Sequence, residues 1–273
     1  DKIINLNIMV SLNRITILQL ANILTPIICF GILSILSIGQ GDVTGVFESA
    51  EYDSLIDPIN FAFAIWGPIF LLVFVFLIYQ ARGVLKNSKP ENVEKIIEQV
   101  GIYFILSTIF TSLWYLFWFY QIIWLSTLSM ILYLISLVRG YLRLKINLVE
   151  RNTTEKITIV APWSLYTGWV TAATIISIKT FMINLGFNVP RFLLADRYWA
   201  IIVLLMTLLI YITVLLTRND FIYAGVGIWV LLGILFERLL ASDLVIEIIL
   251  TTIIGLIILT AAIIYQAIIG KKK

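Results

Sequence analysis

Long uncharged runs alternate with short charged segments along the whole chain. Seven runs contain no Asp, Glu, Lys or Arg, and they cover residues 15–41, 58–81, 99–138, 157–178, 198–217, 221–236 and 248–270. A helix that rises about 1.5 Å per residue needs roughly 20 residues to cross a hydrocarbon core of about 30 Å. The run 99–138 is long enough for two such helices, which must reverse near Tyr120-Gln121. The pattern therefore predicts an all-α integral membrane protein with about eight transmembrane helices.

Local signals refine two of these runs and one charged segment. The run 221–236 is short, because its residues reach only about 24 Å as a helix. Asp57-Pro58 predicts the start of the second helix, since an N-cap residue is followed by proline at the first helical position. Gly67-Pro68 predicts a break in that helix, and a neighbouring helix or a ligand must satisfy the carbonyls that the break frees. The charged segment 82–98 predicts an interfacial helix.

The basic residues are distributed unequally between the two sides of the predicted bundle. If the spans alternate strictly, the residues on one side are Lys2, Arg14, Arg82, Lys86, Lys89, Lys95, Arg139, Arg143, Lys145, Arg151, Lys156, Arg218 and Lys271–Lys273. The opposite side has Arg191, Arg197 and Arg238. Basic residues concentrate on the cytoplasmic side of membrane proteins, so both termini are predicted to lie on the cytoplasmic or equivalent side. That basic side is called the inner side below.

The outer loop 39–60 is acidic and contains no Lys or Arg. This composition fits an ordinary soluble loop, and it also fits a lid over a pocket between the helices. The residues alone leave both interpretations open.

Composition limits the chemistry. Of 273 residues, 61% are hydrophobic and 13% charged, and the net charge of +3 reflects inner-side anchors, so no nucleic-acid partner is predicted. There is no histidine and one cysteine, Cys29, which excludes a zinc site, histidine-ligated haem and a Cys/His nucleophile. No glycine-rich phosphate loop occurs. We therefore expect no catalytic activity, no bound metal and no required cofactor.

Two charged residues, Lys179 and Glu247, lie inside predicted helices near their outer ends. Charge within the bilayer is unfavourable, so each side chain must reach the interface or find a partner. A mutual ion pair between the fifth and eighth helices is one hypothesis.

Tryptophan is the distinctive residue of the chain. Five of its eight tryptophans lie in the second, third and fifth predicted helices, at Trp66, Trp114, Trp118, Trp163 and Trp169. Trp114 and Trp118 are four residues apart and share one helix face. Such an aromatic stripe fits helix packing, and it also fits a site for a flat ligand that stacks on the rings.

The order of the aromatic motifs resembles that of the TspO/MBR family, especially its longer members, the tryptophan-rich sensory proteins. The second helix contains NFAFAIWGPIF, with Trp66 and Phe70. The third helix contains TSLWYLFWF, with Trp114, Trp118 and Phe119. The fifth helix contains YTGWVTAATIIS, with Tyr166, Trp169 and Ala173. Thr111 and Ser177 stand where the family has asparagine, and only Pro58 remains of the family's paired prolines.

The resemblance implies a five-helix core over 1–183, and the residues 184–273 would form a three-helix membrane extension. It implies a pocket between the second, third and fifth helices, with the loop 39–60 as its lid. The ligand-binding residues that it implies are Trp66, Phe70, Trp114, Trp118, Phe119, Tyr166, Trp169, Ala173 and Ser177. The implied function is a membrane receptor or carrier for a planar or polycyclic hydrophobic ligand, such as a tetrapyrrole or a sterol-like molecule. Some family members are linked to tryptophan-dependent porphyrin degradation.

Two other functional hypotheses remain open at this point. The chain could be a secondary transporter of a small solute, with 198–269 as a moving partner. It could also be a structural subunit of a larger membrane complex, or a homodimer, in which the tryptophans only pack.

Overall fold

The computed structural model describes residues 2–37, 54–82, 84, 90–187 and 196–269, with the side chains of the first helix from residue 14 to 36. In this part of the chain the α-helices are α1 Lys2–Ser37, α2 Trp66–Ala81, α3 Glu91–Val100, α4 Tyr103–Phe119, α5 Ile123–Arg143, α6 Thr153–Glu155, α7 Ala161–Asn184, α8 Asp196–Arg218, α9 Phe221–Leu240 and α10 Ile246–Ile269. A 3₁₀ helix, Asn60–Ile65, precedes α2, and a π-helical turn, Lys156–Val160, joins α6 to α7.

The number of membrane spans agrees with the prediction. Seven helical segments of the described chain are long and apolar enough to cross a bilayer. The helices α3 and α4 form a pair bent by 47°, which makes an eighth span when it is counted as one. The chain is thus an all-α integral membrane protein. It reverses between α4 and α5 at Tyr120 and Gln121, as expected.

Five spans pack in a ring. The helix α1 contacts α2 and α4, α4 contacts α5, α5 contacts α7, and α7 closes the ring on α2. The other three spans, α8, α9 and α10, pack on one another, and α9 also packs against α7 and the 3₁₀ helix. Residues 188–195, which join the two groups, lie outside the described chain, and the division at residue 184 into two units stays a prediction.

Glycines allow the closest helix crossings. A Cβ atom on Gly140 of α5 would come within 2.3 Å of the Trp163 ring on α7, so α5 and α7 approach only because that side chain is absent. A Cβ atom on Gly227 of α9 would lie 2.7 Å from the Tyr211 ring on α8. These contacts fix α5 to α7 and α9 to α8.

The predicted interfacial helix corresponds to α3. Its apolar side is fully covered by protein, because Val93, Ile96, Ile97 and Val100 are buried in the core cluster that includes α5. The helix therefore packs with its apolar side against the inner ends of the bundle helices.

The start of the second span differs from the prediction. Asp57 does not cap a helix at Pro58; its backbone N–H and carboxylate instead close a turn with Ser54, and the 3₁₀ helix begins at Asn60. The helix changes from 3₁₀ to α at Trp66, one residue before Gly67. Within the 3₁₀ helix, the Ala62 carbonyl accepts a 2.8 Å hydrogen bond from the Trp229 indole of the neighbouring helix α9.

Candidate functional site

Three aromatic side chains from α2 and α7 form the centre of the candidate site. The Trp66 ring lies edge-on to both Tyr166 and Trp169, with ring centroids 6.3 Å apart in each pair. Tyr166 and Trp169 are three residues apart, so they project from neighbouring positions on one side of α7. We call Trp66, Tyr166 and Trp169, with the rings that touch them, the aromatic cluster.

Further rings extend the aromatic cluster on both sides. Phe63 of the 3₁₀ helix meets Trp169 edge-on at 5.6 Å, and Tyr133 of α5 meets Tyr166 at 5.6 Å. Phe70 stacks on Trp66 with centroids 5.4 Å apart and planes at 22°. Edge-to-face and offset-stacked arrangements at such distances are favourable beyond simple burial. The cluster therefore has a packed interior and an open side.

Exposure distinguishes these two sides. Trp169 is 1% exposed, whereas Phe70 is 63% exposed. The Trp169 indole N–H is buried with no hydrogen-bond partner among the described residues. A buried donor without a partner is costly, so Trp169 offers an unused hydrogen bond at the base of the cluster.

The predicted residues of α4 are divided between two places. Trp114 packs against the same core cluster as Trp66, Tyr166 and Ala173. The Trp114 carbonyl also accepts a 3.3 Å hydrogen bond from Ser126 of α5. Trp118 is half-buried one turn further along α4.

Phe119 lies away from the aromatic cluster. It stacks with Tyr115 at 6.4 Å, meets Tyr120 edge-on at 5.4 Å, and lines a shallow cleft with Leu33 and Leu36 of α1. The structure therefore places Phe119 against α1, whereas Trp66, Tyr166 and Trp169 meet between α2 and α7.

Ser177 has a packing contact. Its backbone carbonyl accepts a 3.1 Å hydrogen bond from the Thr127 hydroxyl of α5. The side chain is buried two turns beyond Trp169 on α7. Thr111 of α4 is half-buried.

Only the end of the predicted lid can be placed, because residues 38–53 lie outside the described chain. The described end is firmly held. Ile56 is buried, and the Ile59 N–H donates a 3.0 Å hydrogen bond to the Gly233 carbonyl of α9. The segment that leads from the loop into the second span is thus fixed to α9.

A buried carboxylate at the inner side escaped the sequence analysis. Asp220 is fully buried in the turn between α8 and α9. Tyr141 of α5 and Ser164 of α7 each donate a 2.6 Å hydrogen bond to it, and the Tyr223 N–H donates one of 3.0 Å. In the sequence Asp220 stands only as the last residue of the short connection Arg218-Asn219-Asp220. Its partners are too far away in the sequence to be inferred from it.

The proposed pair between Lys179 and Glu247 is wrong. Lys179 forms an ion pair with Asp196, at the first turn of α8, and Glu247 forms one with Arg197 at 3.1 Å. Lys179 and Glu247 do not pair with each other because the start of α8 lies between the ends of α7 and α10 and supplies an acidic and a basic partner. Both charges predicted to lie within helices are neutralised at the outer side.

Comparison with known proteins decides the family. The sequence model of the TSPO-like protein family matches residues 16–265, which is nearly the whole chain and includes α8, α9 and most of α10. The chain belongs to the TSPO-like family. Searches of curated proteins and of solved structures gave no match.

Membership of the TSPO-like family agrees with the fold and with the aromatic motifs. This TSPO-like protein is a multi-pass membrane protein whose apolar helices contact the lipid bilayer. The match extends into the C-terminal helices, so the family model covers these helices as well as the five-helix ring. Its assignment to the longer tryptophan-rich sensory subfamily stays a prediction, as does the inner location of both termini.

Proposed function

We propose that this TSPO-like protein is a membrane receptor or carrier for a planar or polycyclic hydrophobic ligand, tetrapyrrole-like or sterol-like, that binds at the aromatic cluster. The observation that carries the proposal is the arrangement of Trp66: it stacks on the exposed Phe70 and lies edge-on to the buried Trp169 and to Tyr166. A flat ligand would stack on the open side, against Phe70 and Trp66, and the buried rings would support it from behind.

The energetics support a ligand of this class. Each favourable ring pair contributes about 0.5–1.5 kcal/mol beyond the burial of apolar area. A ligand that stacks on several rings therefore gains a substantial part of the roughly 8 kcal/mol of binding free energy that corresponds to micromolar affinity. Trp114 and Trp118 of α4 would complete the far wall, and Ala173 would leave room beside them.

The proposed role is binding without catalysis. The sequence has no histidine and a single cysteine, so tryptophan and tyrosine are the residues at the cluster on which chemistry would have to rely. No cofactor is part of the proposal.

Titration of the detergent-purified protein with protoporphyrin IX tests this function. Tryptophan fluorescence is followed, and N-acetyltryptophanamide in the same detergent corrects for inner-filter absorption. We expect saturable quenching that fits one site of micromolar or tighter affinity. Quenching that rises linearly without saturation would mean that the porphyrin only partitions into the micelle, and the proposed function would be rejected.

A further inference from the structure

We propose that α9 positions the aromatic cluster, with Trp229 and Gly233 as the positioning residues. The proposal rests on the function proposed above and assigns the C-terminal helices a part in it. Through α9, these helices set the distance between the rings carried by the 3₁₀ helix and α2 and the rings carried by α7.

The outer half of α9 holds the 3₁₀ helix by its backbone. The Trp229 indole N–H donates a 2.8 Å hydrogen bond to the Ala62 carbonyl. The Gly233 carbonyl accepts a 3.0 Å hydrogen bond from the Ile59 N–H. Phe61 also lies against Trp229, with ring centroids 5.6 Å apart. These contacts fix the rotation and the height of the 3₁₀ helix relative to α9.

Gly233 is required for this close approach. A Cβ atom at that position would lie 2.9 Å from the Cβ atoms of both Pro58 and Ala62, which is closer than side-chain carbons normally come. Both neighbours are short and one is a proline, so neither can swing aside. Any side chain at position 233 must therefore push the 3₁₀ helix away from α9.

The 3₁₀ helix in turn carries one half of the aromatic cluster. Phe63 lies within it and meets Trp169 edge-on, and Trp66 follows it directly as the first residue of α2. A shift of the 3₁₀ helix therefore moves Phe63 and Trp66 together relative to Trp169.

The other half of the cluster is also tied to α9. The hydroxyl groups of Tyr223 on α9 and Thr171 on α7 form a 2.7 Å hydrogen bond, and Thr171 is two residues from Trp169. Gly168 of α7 packs against Val226 of α9. One helix thus contacts both supports of the cluster, and α9 is the element that holds them at a fixed separation.

Ligand binding and the position of α9 are then thermodynamically linked. If displacing α9 weakens the ligand site, binding of the ligand must favour the undisplaced position of α9 by the same factor. The C-terminal helices would in this way respond to occupancy of the site.

The test compares two glycine substitutions on the same helix. Gly233→Ala must displace the 3₁₀ helix, whereas Gly225→Ala is the matched control, because a Cβ atom on Gly225 meets no atom within 4 Å. Both changes add one methyl group to α9 and raise helix propensity equally. We expect Gly233→Ala to weaken protoporphyrin IX binding about three- to tenfold and Gly225→Ala to leave it within about twofold.

A ligand-independent readout separates this inference from the proposed function. The protein is labelled with 5-fluorotryptophan, and the ¹⁹F resonances of Trp66 and Trp169 are assigned from the Trp66→Phe and Trp169→Phe variants. Gly233→Ala should shift both resonances, and Gly225→Ala should shift neither. Trp229→Phe removes one hydrogen bond and keeps a ring, so it should give a smaller shift in the same direction.

The outcomes are distinct. If the wild-type protein binds no porphyrin, the proposed function fails, and the ¹⁹F comparison alone decides the positioning role. If Gly233→Ala fails to fold, Trp229→Phe takes its place in both measurements. Unchanged Trp66 and Trp169 resonances in a folded Gly233→Ala or Trp229→Phe protein would overturn the positioning role.

Discussion

The Tyr141 hydroxyl donates a 2.6 Å hydrogen bond to the Asp220 carboxylate, and this bond joins two residues 79 positions apart in the chain. It links α5 of the five-helix ring to the turn that begins α9. Ser164 of α7 donates to the same carboxylate oxygen. A fully buried carboxylate depends on such donors, because it has exchanged water for them.

Tyr141→Phe should therefore destabilise the protein without changing its shape. Hydrogen bonds to charged groups contribute about 1.5–3 kcal/mol, and the loss falls on a buried group that water cannot reach. The measurement is thermal unfolding in detergent. Tyr265→Phe is the control, because Tyr265 is largely exposed on α10. Equal midpoints for the two variants would show that the bond contributes nothing measurable.

Gly140→Ala should be destabilising by overpacking. The new methyl group would fall 2.3 Å from the Trp163 ring, which is itself buried against Phe76 and Phe104 and has no room to move. Forcing an extra carbon into a packed core costs about 1–3 kcal/mol. Thermal unfolding of Gly140→Ala beside Gly225→Ala measures this cost. A midpoint as high as that of the control would mean that α5 and α7 separate easily.

The two outer ion pairs should differ in their contribution to stability. The side chains of Lys179 and Asp196 are 6% and 26% exposed, whereas those of Arg197 and Glu247 are 47% and 43% exposed. Asp196→Asn leaves a buried ammonium unpaired and should cost on the order of 3 kcal/mol, reduced by the partial exposure of Asp196. Glu247→Gln should cost less than about 1 kcal/mol.

Unfolding of both variants at low and high salt provides the measurement. The Arg197–Glu247 contribution should shrink as salt screens it, and the Lys179–Asp196 contribution should persist. Similar losses for both variants would contradict the difference in burial.

Phe70 offers a comparison between ligand contact and lipid contact. Phe70 and Phe74 lie one turn apart on α2 and are 63% and 60% exposed, but Phe70 stacks on Trp66. Replacing either with alanine should change stability by no more than about 1.5 kcal/mol. Phe70→Ala should weaken protoporphyrin IX binding, and Phe74→Ala should leave it unchanged. Equal affinities in a direct binding assay would show that Phe70 does not contact the ligand.

The helices were predictable because the bilayer sets their length and composition. The run 198–217 became α8 Asp196–Arg218, and the short run 221–236 became α9 Phe221–Leu240. The latter continues beyond the uncharged run through Glu237 and Arg238, whose side chains form an ion pair at 3.6 Å. Counting uncharged residues alone therefore underestimated the length of α9.

The contacts between helices were not predictable in the same way. The hypothesis paired Lys179 with Glu247 because both lie near the outer ends of predicted helices, yet the partner of Lys179 is Asp196, which lies outside the uncharged runs. Gly233 gave no signal in the sequence, because its role depends on Pro58 and Ala62 meeting it from another part of the chain. Of the residues in the aromatic motifs, Trp66, Tyr166 and Trp169 contact one another, whereas Phe119 faces α1.

The central claim is that a flat hydrophobic ligand binds at the aromatic cluster, with Trp114 of α4 as its far wall. The binding of protoporphyrin IX to the double variant Trp114→Phe/Trp169→Phe tests this claim most directly. Binding is followed by the absorbance of the porphyrin, so that removing tryptophans does not alter the signal. The control is Trp124→Phe/Trp199→Phe, which removes two tryptophans from α5 and α8 outside the cluster. We predict a folded protein whose affinity is about tenfold weaker than that of the control. Equal affinities in the two folded variants would contradict a ligand site at the aromatic cluster.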